Sequence, residues 1–368
     1  MRLPLSILLI SSSFAASGQQ DSSKIIYDVS AKFLYSSIWT ERGSLQQFTK
    51  DHPWSLQIDF GILKNSQLAW NYCNCYTRNG LSIGYVNFDN PSKLGNAYTF
   101  SVFTEPVLIL RNRFSLSVRG NAGFAYLNKL YDSISNKESI FFSTKLSYYL
   151  ALGLNASYQL NKDFKLSVSS QFNHISNGGR RDPNEGVNFP SMNLGLSYVI
   201  NSQKLERRPT EKFSDKTFEV IVHAFGALRT AQATVLWPEE KRLVSGVNLG
   251  LVKRIGRLNA FGAGGEIYYD GINSVNQQRS GKIQQTTVGG VSIQHYLFSG
   301  KLLFGQQFAW YVTPNTGYQK NIYQRYFLEY EVKRNWYAGV SLKAHGDQSD
   351  YLAISVGYFL VLPPKHGK

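Results

Sequence analysis

The stretch FSTKLSYYLALGLNASYQL, residues 142–160, alternates between apolar and polar side chains along most of its length. Leucine and tyrosine recur at its even positions, whereas serine, glycine and asparagine recur at its odd positions. Since successive side chains of a strand point to opposite faces, this period of two predicts a β-strand with one apolar and one polar face. Residues 192–200 and 352–360 alternate in the same way, so both halves of the chain contain such strands.

The composition narrows the class of β protein. Hydrophobic residues make up 43% of the 368 positions, aromatic residues 14% and charged residues only 17%, which excludes a disordered chain. A soluble, lipocalin-like barrel would also alternate. A membrane barrel is favoured because the apolar rows reach the roughly nine to eleven residues of a membrane strand. In RYFLEYEVK, residues 325–333, the opposite face is charged, as in a membrane barrel's interior. We predict an all-β, antiparallel transmembrane β-barrel.

The N-terminus predicts secretion. MRLPLSILLISSSFAASG, residues 1–18, combines a basic start, a short apolar run and small residues before a cleavage point, which is typical of a signal peptide. Together with the barrel pattern, it indicates the bacterial outer membrane. We do not expect a secreted barrel to bind nucleic acid. Its net charge of +15 suits binding to an anionic lipid surface instead.

The number of strand patterns suggests two barrels in tandem. Eight patterns precede residue 201 and eight follow residue 216, including patterns at about 140–160 and 282–298. Between the two groups, residues 201–216 are polar and charged and contain a proline, which predicts a linker. We expect residues 19–200 to form one eight-stranded barrel and residues 217–368 a second. The alternative is a single 16-stranded barrel.

One segment departs from this regular pattern. It reads QFNHISNGGRRDPNEGVNFPSMNLGLSY, residues 171–198, and its strand places His174 and Ser176 on the apolar, lipid-facing row. An imidazole and a hydroxyl on the hydrocarbon face are costly there and point to function. Their spacing of two makes them neighbours, so His174 can act as a base toward Ser176. The alternative is a pair of interfacial polar side chains beside a glycine-rich turn.

The same segment resembles a known enzyme family. HISNGG, followed by PNEGVN and SMNLGLSY, is similar to the signature of the lipid A 3-O-deacylases, the PagL-like outer-membrane enzymes grouped with acyloxyacyl hydrolases. The resemblance implies an eight-stranded barrel with the active site on its outer wall and hydrolysis of an acyl ester of lipid A. It implies Ser176 as the nucleophile, His174 as the general base, and Asn177 with the Gly179 backbone as the oxyanion hole.

The third member of the site departs from the family pattern. Where the family has an acid, this sequence has Asn188, and Glu185 lies three residues earlier. Either Glu185 orients the imidazole, or Asn188 does so as an amide, as in Cys-His-Asn sites. A further possibility is that the orienting residue is absent and the enzyme is degenerate.

These observations predict an outer-membrane serine esterase that removes an ester-linked acyl chain from lipid A, and hence from lipopolysaccharide. The alternatives are an esterase acting on glycerophospholipid and a non-catalytic structural or transport barrel. Arg180 and Arg181 are candidates for binding lipid A phosphates, since arginine pairs with phosphate through two hydrogen bonds; a solvated basic loop is the alternative. The scheme requires neither a metal ion nor a cofactor.

The second half lacks the H-x-S-N motif. Its polar cluster surrounds His345 in KAHGDQSDY, residues 343–351, but the alternation puts His345 on the interior face with Lys343. We predict a structural, interior histidine. Cys73 and Cys75 are separated by a single residue, which is too close for an easy unstrained disulfide, so we expect them to be unlinked loop residues.

Overall fold

The computed structural model describes residues 25–205, 207–210, 213, 217–346 and 348–362. The predicted signal peptide, residues 1–18, lies outside the described residues. The described chain forms two closed antiparallel barrels of eight strands each. The prediction of two barrels in tandem is therefore confirmed, and the alternative of a single 16-stranded barrel is wrong.

Both barrels follow the chain order. The strands of the first are β1 (Ile25–Ser36), β2 (Trp54–Lys64), β3 (Thr77–Asn87), β4 (Asn96–Arg111), β5 (Phe114–Leu127), β6 (Leu146–Gln159), β7 (Phe164–Ser176) and β8 (Val187–Ile200). The strands of the second are β9 (Phe218–Ala231), β10 (Glu240–Arg254), β11 (Asn259–Asp270), β12 (Thr287–Ser299), β13 (Leu302–Tyr311), β14 (Ile322–Lys333), β15 (Trp336–His345) and β16 (Gln348–Val361). Each barrel closes because its first strand pairs with its last.

The alternation along β8 shows how the sequence builds the barrel wall. Met192 and Leu194 point outward and are 60% and 56% exposed, whereas Asn193 between them is buried. The inward amide of Asn193 donates a hydrogen bond to Ser169 Oγ on β7. An apolar exterior around a polar interior reverses the arrangement of a soluble protein and suits a wall surrounded by hydrocarbon.

Paired charges fill the interior of the first barrel. The Asp59 carboxylate lies 3.0 Å from Lys32 Nζ and 2.8 Å from Arg119 Nη1. Arg78 Nη1 lies 2.9 Å from a Glu105 oxygen. All five side chains are buried. Because each charge has a partner of opposite sign, the desolvation of these groups is offset by ion pairs inside the barrel.

The interior of the second barrel contains a similar network. Lys343 Nζ lies 2.6 Å from an Asp350 oxygen. His345 faces inward, as the alternation predicts: its Nδ1 is 3.0 Å from Asp350 Oδ1 and its Nε2 is 3.0 Å from Tyr311 Oη. This histidine is therefore part of the polar interior and not a second copy of the lipid-facing pair.

The two ends of the first barrel differ. One end carries the long connections 37–53, 88–95, 128–145 and 177–186, and the other carries the short turns 112–113 and 160–163. Phe141 and Phe142 pack into an apolar cluster at the long-loop end. For this reason β6 begins at Leu146, later than the predicted start near residue 140. In the second barrel, helix α2 (Gly271–Ser280) was likewise unpredicted, and β12 begins after it, at Thr287.

A short helix, α1 (Gln67–Asn71), lies in the β2–β3 connection at the short-turn end. The expectation for the cysteines that follow it was wrong: Cys73 and Cys75 form a disulfide, which their turn allows because their Cα atoms are 5.0 Å apart. No helix in the described ranges is long and apolar enough to cross a bilayer.

The two barrels contact each other at both ends. At the short-turn end, Arg257 Nη1 donates a hydrogen bond to the Asn71 carbonyl at 2.7 Å. The described part of the linker packs at the same end, where Trp70 Nε1 donates to the Pro209 carbonyl at 3.2 Å. At the long-loop end, Gly179 lies directly against the backbone of Asp350 on β16.

Candidate active site

His174 and Ser176 lie at the long-loop end of β7, on its outward row. His174 Nε2 is 2.8 Å from Ser176 Oγ, within hydrogen-bond distance. Phe172 and Val168, which continue the same row toward the middle of the barrel, are exposed. The structure thus places the imidazole and the hydroxyl on the apolar outer wall and brings them into contact.

Strand β8 supplies a third side chain. Asn188 pairs directly with His174 in the sheet, and its Oδ1 lies 2.7 Å from His174 Nδ1. Because an amide oxygen only accepts hydrogen bonds, this contact places the ring proton on Nδ1 and leaves the Nε2 lone pair for Ser176. The Trp39 backbone N–H donates to the Asn188 carbonyl at 2.8 Å, which holds this part of β8. Ser176, His174 and Asn188 therefore form one hydrogen-bonded series.

Glu185, the other predicted orienting residue, lies elsewhere. Its carboxylate forms an ion pair with Arg42 in the loop before β2, and both ring nitrogens of His174 already have partners. The chain before β8 explains this placement, because Gly186 has a φ of +64° and turns the backbone between Glu185 and the strand. The structure therefore brings Asn188, and not Glu185, to the imidazole.

Asn177, a predicted oxyanion donor, is fully buried and holds the loop together. Its Nδ2 donates to Ser143 Oγ at 2.9 Å and to the Arg181 carbonyl at 2.6 Å. Its backbone N–H donates to Asn184 Oδ1 at 2.8 Å. Since its amide hydrogens are already engaged within the loop, the geometry favours a loop-building role for this side chain over the predicted one.

The backbone after Asn177 turns through two glycines. Gly178 and Gly179 have φ values of +66° and +76°, in the left-handed region that favours glycine. Among the described residues, neither glycine N–H donates a hydrogen bond. Gly179, the second predicted oxyanion residue, therefore retains a free N–H three residues after Ser176 in the chain, and Gly178 retains another.

The two arginines of the loop are exposed beside these glycines. The Arg180 guanidinium donates to the Leu146 carbonyl and lies 5.3 Å from the centre of the Tyr148 ring. This places Arg180 over β6, on one flank of the site. The Arg181 carbonyl accepts the Asn177 amide, while its side chain is exposed.

Apolar side chains that sequence reasoning missed surround the hydrogen-bonded series. Tyr148 and Leu150 on β6 pair with Ser176 and His174, respectively. Trp39 lies edge-on to Phe172, with ring centroids 5.7 Å apart. Trp39 comes from the loop after β1, and no local pattern in the sequence shows that this loop returns to β8.

Solved structures and curated proteins were compared with the chain. The crystal structure of the outer membrane enzyme PagL has 15% sequence identity and a TM-score of 0.35, with 46% of this chain and 97% of that chain covered. Neisserial surface protein A has 11% identity and a TM-score of 0.32, with 47% and 96% covered. A mutant Rh. blastica porin has 9% identity and a TM-score of 0.20, with 91% and 100% covered. A search of the curated proteins finds no match.

Family models match both barrels. Residues 42–197 match the model described as lipid A 3-O-deacylase (PagL), and this range contains the hydrogen-bonded series of β7 and β8. Residues 218–361 match the model described as acyloxyacyl hydrolase, C-terminal domain. Together the two matches span most of the 368 residues. The chain therefore belongs to the PagL family of lipid A 3-O-deacylases and acyloxyacyl hydrolases, ester-hydrolysing enzymes of the bacterial outer membrane.

Proposed function

We propose that this chain is a serine esterase that removes an ester-linked acyl chain from lipid A. The observation that carries the proposal is the series from Ser176 Oγ through His174 to Asn188, with contacts of 2.8 Å and 2.7 Å, on the outward wall. A hydroxyl, an imidazole and an orienting group within hydrogen-bond reach of one another can activate a serine nucleophile. The match of this barrel to the lipid A 3-O-deacylase model supports the substrate class.

The reaction follows from these positions. Ser176 Oγ attacks the ester carbonyl carbon while His174 Nε2 takes the hydroxyl proton. The carbonyl oxygen becomes an oxyanion, which the free N–H groups of Gly178 and Gly179 stabilise. The intermediate collapses to an acyl-serine, and the imidazolium returns its proton to the departing alcohol. A water molecule, deprotonated by His174, then releases the fatty acid and regenerates Ser176. Asn188 holds the Nδ1–H throughout.

The depth of the site supports a substrate in the outer leaflet. Outer-membrane barrels carry long loops on the extracellular side and short turns on the periplasmic side. Ser176 ends β7 at the long-loop end, and its row faces the surrounding lipid. An ester just below the headgroups of the outer leaflet can therefore reach Ser176 laterally. Lipid A is the phosphate-bearing lipid of that leaflet, and the exposed Arg180 and Arg181 would bind its phosphates.

The wall below Ser176 suits an acyl chain. Its outward side chains are apolar, lie on three adjacent strands and are between 38% and 63% exposed; they are Leu150, Leu152, Phe172 and Met192. An acyl chain lying along this wall stays in an apolar environment while its carbonyl carbon lies at Ser176.

The experiment is mass spectrometry of the lipid products. The purified, detergent-refolded protein and its Ser176→Ala variant are incubated with lipopolysaccharide and, separately, with glycerophospholipid. Loss of one hydroxyacyl chain from lipid A with the native protein, but not with the variant, supports the proposal. Cleavage of glycerophospholipid alone would reassign the substrate. Unchanged lipids in every sample, or equal cleavage by the variant, would overturn the proposal.

A further inference from the structure

The second barrel reaches the loop that follows Ser176. A Cβ atom added at Gly179 would lie 2.5 Å from the carbonyl oxygen of Asp350 and 3.2 Å from that of Ser349, both on β16. At Gly178 it would lie 3.4 Å from Leu352 Cβ and 3.0 Å from the Tyr148 ring. The two glycines are thus enclosed between β6 of their own barrel and β16 of the other.

Strand β16 has an irregularity at this contact. Lys343 of β15 pairs with Tyr351, but the next residue, Ala344, pairs with Ser349, which leaves Asp350 as an extra residue. Such a bulge re-aims the side chain of the extra residue. Here the Asp350 carboxylate turns into the second barrel, where it lies 2.6 Å from Lys343 Nζ and 3.0 Å from His345 Nδ1. The residue whose carbonyl abuts Gly179 is therefore anchored by an ion pair in the interior.

The glycines need such an external support. Glycine has the greatest backbone freedom of any residue, so the N–H groups of two consecutive glycines can point in many directions unless packing restricts them. Oxyanion stabilisation depends on donors already aimed at the developing charge. In this site the backbone of β16 is the rigid surface against which Gly179 is packed.

We propose that Asp350 of the second barrel is a positioning residue for the active site of the first barrel. Lys343 and His345 hold Asp350, the Asp350 backbone holds Gly179, and the glycine loop presents its N–H groups to the oxyanion. The inference rests on the proposed esterase function and extends it, because it gives the barrel without the H-x-S-N motif a part in the reaction.

The test is the full-length Asp350→Asn variant, which keeps the side-chain shape and removes the charge that Lys343 holds. We expect kcat on a short chromogenic ester to fall about tenfold, since a displacement of about 1 Å in an active site costs up to about a hundredfold. We expect KM to stay within about twofold, because the wall that binds the acyl chain is unchanged.

The matched control is Glu219→Gln. It breaks a different interior ion pair of the same barrel, between Glu219 and Arg254, which lie 3.2 Å apart near the short turns. Its kcat should equal that of the native protein.

The outcomes separate the two proposals. Unchanged kcat in Asp350→Asn, or an equal loss in Glu219→Gln, would overturn the positioning role. Activity retained by Ser176→Ala would overturn the esterase proposal instead.

Folding of Asp350→Asn is judged by heat-modifiable migration on gels. If this variant does not fold, a pair of loop variants tests the positioning role instead. Gly178→Ala and Gly179→Ala both add a Cβ atom to a residue of positive φ. Only the Cβ atom of Gly179→Ala would contact the backbone of β16. A larger fall in kcat for Gly179→Ala supports the positioning role, and equal falls would overturn it.

Discussion

At the residue scale, an amide stands where a carboxylate would complete a serine triad. Asn188 Oδ1 accepts the Nδ1–H of His174 as a carboxylate would, but it has no charge to stabilise the imidazolium that forms when Ser176 attacks. In a serine protease, replacing the aspartate of the triad by asparagine lowers kcat by about 10⁴ because the wrong tautomer is selected. Here the amide oxygen faces the ring, so the tautomer is correct and only the charge is missing.

The Asn188→Asp variant should therefore be the more active enzyme. We expect kcat to rise about tenfold, because the added charge stabilises the imidazolium without changing the geometry. Asn188→Ala should lower kcat by a comparable factor, because the ring loses its orienting partner. Steady-state kinetics on one ester substrate measure both variants, and a fall in kcat for Asn188→Asp would contradict this assignment.

Glu185→Gln separates the two candidates for the orienting role. Because the Glu185 carboxylate pairs with Arg42, we expect the variant to keep kcat within about twofold of the native value, as for loss of a partly exposed ion pair. A larger loss in Glu185→Gln than in Asn188→Ala, measured on the same substrate, would return the role to Glu185.

The sequence predicted part of this site and missed the rest for a physical reason. His174 and Ser176 were recognisable because a spacing of two puts side chains on one face of any strand. Glu185 and Asn188 were both candidates for the partner of His174, and the choice between them was open because it depends on the register of β8 against β7. The engagement of Asn177 was also hidden, because one of its partners, Ser143, lies in a distant loop.

At the scale of elements, the loop after β7 depends on one buried amide. Asn177→Ala removes the hydrogen bonds that the Asn177 amide donates to Ser143 and to the Arg181 carbonyl, and the one that it accepts from the Arg180 N–H. Each such hydrogen bond contributes about 0.5–1.5 kcal/mol. We expect faster tryptic cleavage at Arg180 and Arg181 and a lower kcat. Asn193→Ala, which removes an interior amide of β8, is the control and should leave the cleavage rate unchanged.

Elements differ in how well the sequence predicts them. The strands were predictable because alternation continues as long as one face meets lipid and the other meets the interior. The apolar run at Ile140–Phe142 misled the prediction of β6, because it packs under the long loops and not on the barrel wall. The helices α1 and α2 lie in connections between strands. The sequence there has no regular alternation of apolar and polar residues from which they could be predicted.

At the scale of the molecule, the interior of the first barrel stabilises the fold, whereas its outer wall carries the groups proposed to react. Asp59→Asn removes the charge shared by Lys32 and Arg119, and breaking such a buried pair costs about 3–5 kcal/mol. We expect a lower midpoint of denaturant unfolding and an unchanged kcat in the folded protein, because the reacting groups lie outside. A fall in kcat as large as that of Ser176→Ala would contradict this separation.

The most direct test of the account is covalent trapping of the nucleophile. The refolded protein is treated with a fluorophosphonate probe, which reacts with activated serines, and its peptides are analysed by mass spectrometry. We predict a single adduct on Ser176 that is lost in His174→Ala. An unlabelled Ser176 in a preparation that still releases acyl chains from lipid A would contradict the account.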